Sequence, residues 1–148
     1  MNNPADLARH LLDTLDRATM ATTMADGSPY ASLVLLAMAA DGTPLLLLSD
    51  LAEHTRNLAG EPRAALLLDG TAGLDEPLTG PRLTLLGRVV RSTDQADAEQ
   101  YLARHPGASL YAGFADFRFH RLVVERVHLV AGFGRIHWLD AAALARGV

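Results

Sequence analysis

The sequence predicts a mostly β, α+β domain in which five or six antiparallel strands curl into a small closed or split barrel, flanked by three short helices. Three observations lead there. Asp26-Gly27 and Asp41-Gly42 separate three apolar runs, and such pairs are strong hairpin signals. The runs Leu33–Leu36 and Leu45–Leu48 are continuously apolar, as expected of strands covered on both faces in a barrel wall or a dimer interface. Phe117–Val130 is long and rich in β-branched residues. Free strand edges invite unwanted pairing, and closure into a barrel removes them.

Each element has a local cause. Asn3 can cap a helix with Pro4 at its first position, where a missing N–H costs nothing. Leu7, Leu11, Leu15 and Ala18 continue it at helical spacing. Strands are expected over Ala18–Ala25, Tyr30–Ala40 and Leu45–Ser49, joined as a meander by the two Asp-Gly turns. Asp50 is placed to cap a helix over Leu51–Gly60, with Glu53 completing a capping box and Pro62 ending it. Arg63–Leu68 is a fourth strand, Asp69–Pro81 a loop, and Arg82–Arg91 a fifth strand with Gly87 as a bulge or bend. Thr93 or Asp94 caps a helix through Arg104, stopped by His105-Pro106-Gly107, and Ser109–Phe114 forms a short helical turn. The long strand bends at Gly132-Phe133-Gly134, and Arg135-Ile136-His137-Trp138 follows. No internal repeat or low-complexity linker interrupts the chain, so residues 1–148 read as one domain.

Composition narrows the chemistry. The 148 residues are 49% hydrophobic and 20% charged, which suits a packed core rather than disorder. The net charge of −4 gives no basic field for nucleic acid or an anionic membrane. Cysteine is absent, which excludes disulfides, thiolate metal sites and cysteine nucleophiles. The acidic, amphipathic start is unlike a signal peptide, no apolar run reaches membrane-spanning length, and a cytoplasmic protein is the expectation.

Candidate site residues cluster after the third strand. The helix that follows carries His54, Thr55, Arg56 and Asn57 in its first turns. A helix N-terminus beside a sheet presents free N–H groups and a favourable dipole to an anion, so the phosphate of a small cofactor suits it. The competing reading is a plain cap with solvated polar residues. Arg135 and His137 alternate on one strand face and either line a pocket or lie exposed. His120 and His128 are expected on one face of the long strand, about 27 Å apart at strand spacing, too far for one metal. His10 and His105 are expected at the surface. No HExxH, carboxylate pair or Ser-His-Asp arrangement is present, so no metal site and no catalytic group are assigned. Gly132-Phe133-Gly134 precedes no helix and is not a phosphate loop; Phe133 suits a dimer contact.

Three strings in order, LLSDLAEHTRNLAGEPRAALLL, GPRLTLLGRVVR and RLVVERVHLVAGFGRIHWL, resemble the pyridoxamine 5′-phosphate oxidase-like split barrels that bind FMN. Within that superfamily the chain most resembles the N-terminal barrel of haem-utilisation proteins of the haem oxygenase type, over roughly Leu7–Trp138. The resemblance implies a six-stranded split barrel, a homodimer with two FMN sites at the subunit interface, and a small-molecule ligand. It also implies a flavin strand at Ser32, Leu33 and Val34, without that strand's Arg and Lys ends. Ser49 matches a hydroxyl residue near the phosphate. The family's Arg-Lys phosphate pair falls on Glu53 and His54, with Thr55 and Arg56 beside them. Arg82 stands where the family has a flavin-contacting Gln, and Arg135 and His137 match its substrate-phosphate segment. The family's flavin-facing Trp falls near Leu129 rather than on Trp138. The implied function is an FMN-binding flavoprotein, an FMN-dependent oxidoreductase by expectation but not a true pyridoxamine-phosphate oxidase. Haem binding or degradation, with His54, His128 or His137 as axial ligand, and a cofactor-free dimeric binding module are the alternatives. Full haem-utilisation proteins of this type carry a second domain after the barrel, so the resemblance implies either a truncated homologue or a barrel that only binds flavin.

Overall fold

A computed structural model describes residues 3–146. Its order is α1 (Pro4–Thr14), β1 (Arg17–Thr23), β2 (Pro29–Leu35), β3 (Ala37–Met38), β4 (Pro44–Ser49), α2 (Glu53–Gly60), β5 (Arg63–Asp69), β6 (Arg82–Arg91), α3 (Gln95–Arg104), β7 (Phe117–Gly132) and β8 (Arg135–Asp140). Short 3-10 turns cover Pro77–Thr79, Pro106–Leu110 and Ala141–Leu144. All strand pairs are antiparallel. They form one curled sheet in the order β2-β1-β5-β6-β7-β4-β3, with β8 sharing the β4 edge of β7.

The expected α+β split barrel is present, with eight strands rather than six. The expected second strand breaks at Leu36, whose carbonyl accepts a hydrogen bond from His105 Nε2 at 2.8 Å. His105 is therefore half-buried and structural, not a surface residue. The break also overturns the meander. The two Asp-Gly hairpins form, but β1–β2 lies at one end of the sheet order and β3–β4 at the other. The helical turn expected at Ser109–Phe114 sits earlier, at Pro106–Leu110. Ala18 continues no helix: α1 ends at Thr14, and Ala18 is a buried β1 residue. Gly132 and Gly134, both at positive φ, frame the Phe133-Gly134 turn of the β7–β8 hairpin rather than a bend in one strand.

The inner face of the sheet holds the main core. Met20, Leu46, Leu66, Leu85, Leu122 and Leu129 are each 0% exposed there. Helix α1 inserts Ala8, Leu11 and Leu12 into this core, and α2 adds Leu58. A second core lies on the outer face of β3, β4 and the start of β7. There Tyr101 of α3 and Ala108 pack on Ala37, Leu45 and Leu47, flanked by Phe117 and Phe119. Strand β4 is thus buried on both faces, so Leu45–Leu48 is internal packing and not the dimer surface it resembled.

A β-bulge divides β7. Leu86 pairs with Arg126 while Gly87 pairs with Val124, which leaves Glu125 as the extra residue. A Cβ on Gly87 would stand 2.1 Å from the Val123 carbonyl oxygen, so the close crossing needs glycine. The extra residue reverses which side chains point inward. His120 is buried toward the inner core, whereas His128 stacks on Trp138 on the outer face. The two histidines therefore do not share a face.

Candidate cofactor site

The sheet is left unclosed between β2 and the stretch of β4 beyond its pairing with β3, and a pocket of about 260 Å³ occupies that seam. Leu33, Val34 and Leu35 form one lip and Leu47, Leu48 and Ser49 the other. Ala52 and His54 enter from the start of α2, and Tyr101, Tyr111 and Phe117 close the α3 side. The pocket thus gathers five residues expected from the sequence: Ser49, His54, Leu33, Val34 and, through its hydrogen bond to His54, Ser32.

The crossing that delivers His54 differs from a capping box. Asp50 pairs with Arg118 on β7, Nε to Oδ2 at 2.9 Å, instead of capping a helix. Ser49 Oγ donates to Asp116 at 2.8 Å and accepts from the Leu51 N–H at 3.1 Å. These bonds pin the turn, and α2 begins two residues later than expected, at Glu53, with Ala52 as an N-cap that has no side-chain bond. Inside the barrel, buried Asn57 Nδ2 donates to buried Thr22 Oγ1 at 3.0 Å and fixes the helix to β1. A buried amide–hydroxyl pair of this kind resists sliding of the helix, because breaking it strands both groups.

His54 is the focus of the site. Ser32 Oγ lies 3.0 Å from His54 Nδ1. Burial pushes the His54 pKa below the ordinary imidazole value, which favours the neutral ring. His120 lies close enough for its titration to feel the charge on His54, and its pKa is lowered chiefly by burial. Its Nδ1–H donates to the Arg118 carbonyl at 2.9 Å, which leaves Nε2 as the unprotonated nitrogen of the neutral ring.

The other expected residues lie elsewhere. Thr55 Oγ1 is buried without a hydrogen-bond partner among the described residues. Arg56 is exposed and lines a separate groove of about 700 Å³ with Glu53, Glu61 and Asp26. Arg82 opens β6 opposite Asp69, three strands along from β2, with its Nη1 buried and without a hydrogen-bond partner among the described residues. Arg135 and His137 do alternate on one face of β8, Arg135 exposed and His137 half-buried. Sequence reasoning missed Tyr101, Tyr111 and Phe117, which line the pocket from segments read only as scaffold. Among the described residues no group of three or more His, Asp or Glu is placed to hold a metal ion, and no helix is long and apolar enough to cross a membrane.

A curled antiparallel barrel open at one seam, with a pocket at the opening, defines the class of split β-barrels. A Clostridium acetobutylicum protein described as related to general stress protein 26, of the pyridoxinephosphate oxidase family, shares this fold. Its TM-score is 0.71 at 12% identity, over 95% of this chain and 96% of that one. The family model for the CREG β-barrel matches residues 1–144, and the chain belongs to that family. The chain is also 41% identical over 110 residues to the chloroplastic non-canonical heme oxygenase HOZ of Arabidopsis thaliana, covering 72% of this chain and 33% of the relative. A solved heme binding protein from Mycobacterium smegmatis superposes with a TM-score of 0.90 at 32% identity, over 97% of this chain and 60% of that one. The chain thus spans a third of the curated relative and three-fifths of the solved one.

Proposed function

We propose that the seam pocket binds haem and that the chain is the barrel of a haem-binding or haem-degrading homodimer. The observation that carries this reading is the Ser32–His54 pair at the mouth of an apolar, aromatic pocket. A histidine that ligates a metal usually gives its second ring N–H to a fixed acceptor. In the tautomer that donates Nδ1–H to Ser32 Oγ, His54 would keep the Nε2 lone pair for iron, and its burial favours the neutral ring that ligation requires. Haem, when bound, supplies the redox chemistry. The chain's own part is to hold the ring of His54 and to exclude water with Leu33, Leu47 and Phe117.

FMN fits the lining less well. A phosphate is held by charge-assisted bonds, and the pocket has no Arg, while the chain has no Lys at all. The cation that α2 offers, Arg56, faces a groove that also carries Asp26, Glu53 and Glu61. The flavoprotein reading, with oxidoreductase activity, keeps the support of the shared fold.

Two observations support a homodimer. At about 260 Å³ the pocket is below the roughly 300–1,000 Å³ usual for enclosed small ligands, so one chain leaves the site incomplete. Leu33 also begins a cross-strand row, Leu33–Thr19–Leu67–Thr84–His128–Trp138, on an uncovered sheet face. Leu33, Leu67 and Trp138 in that row are 67%, 42% and 55% exposed. A second copy on this face adds a wall to the pocket.

Absorbance titration tests the reading. Ferric haem is expected to give a saturable Soret band at about micromolar Kd, roughly −8 kcal/mol, and His54→Ala to lose the histidine-ligated spectrum. FMN binding tighter than haem, or an unchanged haem spectrum in His54→Ala, overturns it.

A further inference from the structure

The recess of about 700 Å³ between α2 and the turn joining β1 to β2 shares no lining residue with the seam pocket. Its size lies within the roughly 300–1,000 Å³ usual for small-ligand sites. Glu53, Arg56, Asn57 and Gly60 stand at i, i+3, i+4 and i+7 on α2, so one stripe of the helix forms its wall. Asp26 from the turn and Glu61 from the end of α2 add two more carboxylates.

The charges of this wall are not spent on one another. Glu61 is held by Arg63, Nη2 to Oε1 at 2.6 Å, and Asp26 Oδ1 accepts the Ser28 N–H at 2.9 Å. These bonds hold both carboxyls below the usual carboxylate range, so both are anionic at neutral pH. Glu53 and Arg56 form no ion pair with each other or with any other described residue, although their spacing suits one. Asn57 adds an acceptor independent of these charges. It is 6% exposed, and its Nδ2 is turned to Thr22 Oγ1. Its Oδ1 accepts from no described group and is not sealed off, so it is the atom that Asn57 offers to the recess. A Cβ on Gly60 would meet nothing within 4 Å, which leaves the far end of the stripe open.

We propose that this recess binds a basic α-amino acid, with Arg56 on its carboxylate, Glu53 and Asn57 Oδ1 on its ammonium, and Asp26 and Glu61 facing its second positive charge. A guanidinium matches a carboxylate bidentately, and Arg56 is the cation among the lining residues. Three carboxylates stand against that one guanidinium, so a neutral or acidic amino acid leaves negative charge unmatched. The site is separate from the seam and does not depend on what the seam binds.

Calorimetric titration of the whole chain tests the assignment with three probes. L-lysine carries all three charges, cadaverine lacks the carboxylate, and L-norleucine lacks the second ammonium. L-lysine is expected to bind saturably at about millimolar Kd or tighter, and each of the other two about ten-fold more weakly. Arg56 is exposed and unpaired, so Arg56→Gln keeps the fold and is expected to erase the preference for L-lysine over cadaverine. Gly60→Leu fills the open end and is expected to block L-lysine while leaving the haem titration of the seam unchanged. No saturable L-lysine binding up to about 10 mM overturns the proposal. Equal affinity of wild type for L-lysine and cadaverine, or an L-lysine affinity unchanged in both variants, overturns it too.

Discussion

The outer face of the sheet has a covered half and a bare half, built from the same alternation of strand residues. Over β3, β4 and the start of β7, α3 buries Ala37, Leu45 and Leu47 beneath Tyr101. Over β2, β1, β5, β6 and β8, no element of the described chain covers Leu33, Leu67 and Trp138. The bulge at Glu125 falls where β7 passes from one half to the other, and it switches which residues face out. The bare half is also the flatter in composition, with Ala21, Ala31 and Ala65 aligned across three strands beside Thr19 and Thr84. The exposed apolar side chains there alternate with Thr19, Thr84 and His128, and it is this face that the proposed second copy would cover. The seam pocket straddles the boundary, taking Leu33 from the bare half and Tyr101 from the covered one. On the proposed reading, ligand binding and assembly meet at a single strand, β2.

The largest expected effect separates the halves by their response to truncation. Leu45, fully buried in the covered half, should lose about 3 kcal/mol as Leu45→Ala, read by denaturant unfolding. Leu67→Ala on the bare half should cost about 0.5 kcal/mol in the isolated chain, yet weaken self-association, read by sedimentation. Equal stability losses with no change in association would mean that the two halves do not differ in role.

A smaller effect probes what fastens α3 to the sheet. Arg121 on β7 donates two hydrogen bonds to Asp97 of α3, at 2.6 and 2.8 Å, and Ser92 adds a third at 2.6 Å. Asp97 is 2% exposed, and the Arg121 guanidinium holds its pKa below the usual carboxylate range. The folded value lies below the unfolded one, so this contribution is fully present above about pH 4. It is lost as pH falls through the folded value. Asp97→Asn should cost about 2 kcal/mol at neutral pH and show a shallower loss of stability below pH 4. A wild-type acid limb unchanged in the variant would remove Asp97 from the fastening of the covered half.

These contrasts mark how far the sequence reaches. The Asn3-Pro4 cap, the two Asp-Gly hairpins, the Asp94 cap and the long β7 are written in short-range signals and appear as expected. The interruption at Leu36, the diversion of Asp50 to Arg118 and the parity switch at Glu125 depend on partners tens of residues away, which no local pattern encodes. His54 and Ser32 stood out through polarity near a helix start and through family resemblance. Tyr101 and Tyr111 did not, because an aromatic residue on or after an amphipathic helix reads as core until the wall it forms at the seam is seen. Arg82, Arg135 and His137 were legible as polar strand residues, yet their distance from the seam is set by strand order, which hydrophobic patterning does not specify.

The smallest expected effect concerns His120, on the inner face behind the covered half. It pairs with Leu46 of β4, and its Nδ1–H is committed to the Arg118 carbonyl. Burial dominates and opposes its protonation; the bond to the Arg118 carbonyl and Asp50 favour protonation, whereas Arg91 and His54 oppose it. The folded pKa is therefore below the ordinary value, and the unfolded chain binds the extra proton first as pH drops. Stability should rise with pH across this window, and the contribution is lost as pH falls from about 6.5 toward the folded value. The slope from one such group cannot exceed about 1.4 kcal/mol per pH unit. His120→Gln keeps a donor for the Arg118 carbonyl but does not titrate, so its unfolding free energy should vary less between pH 5 and 7. His54 titrates in the same direction from the seam, so the double variant should be flatter still. A pH profile for His120→Gln that superposes on wild type would mean that the inner face admits the proton freely. The sheet behind the covered half would then be as open to water as the bare half in front.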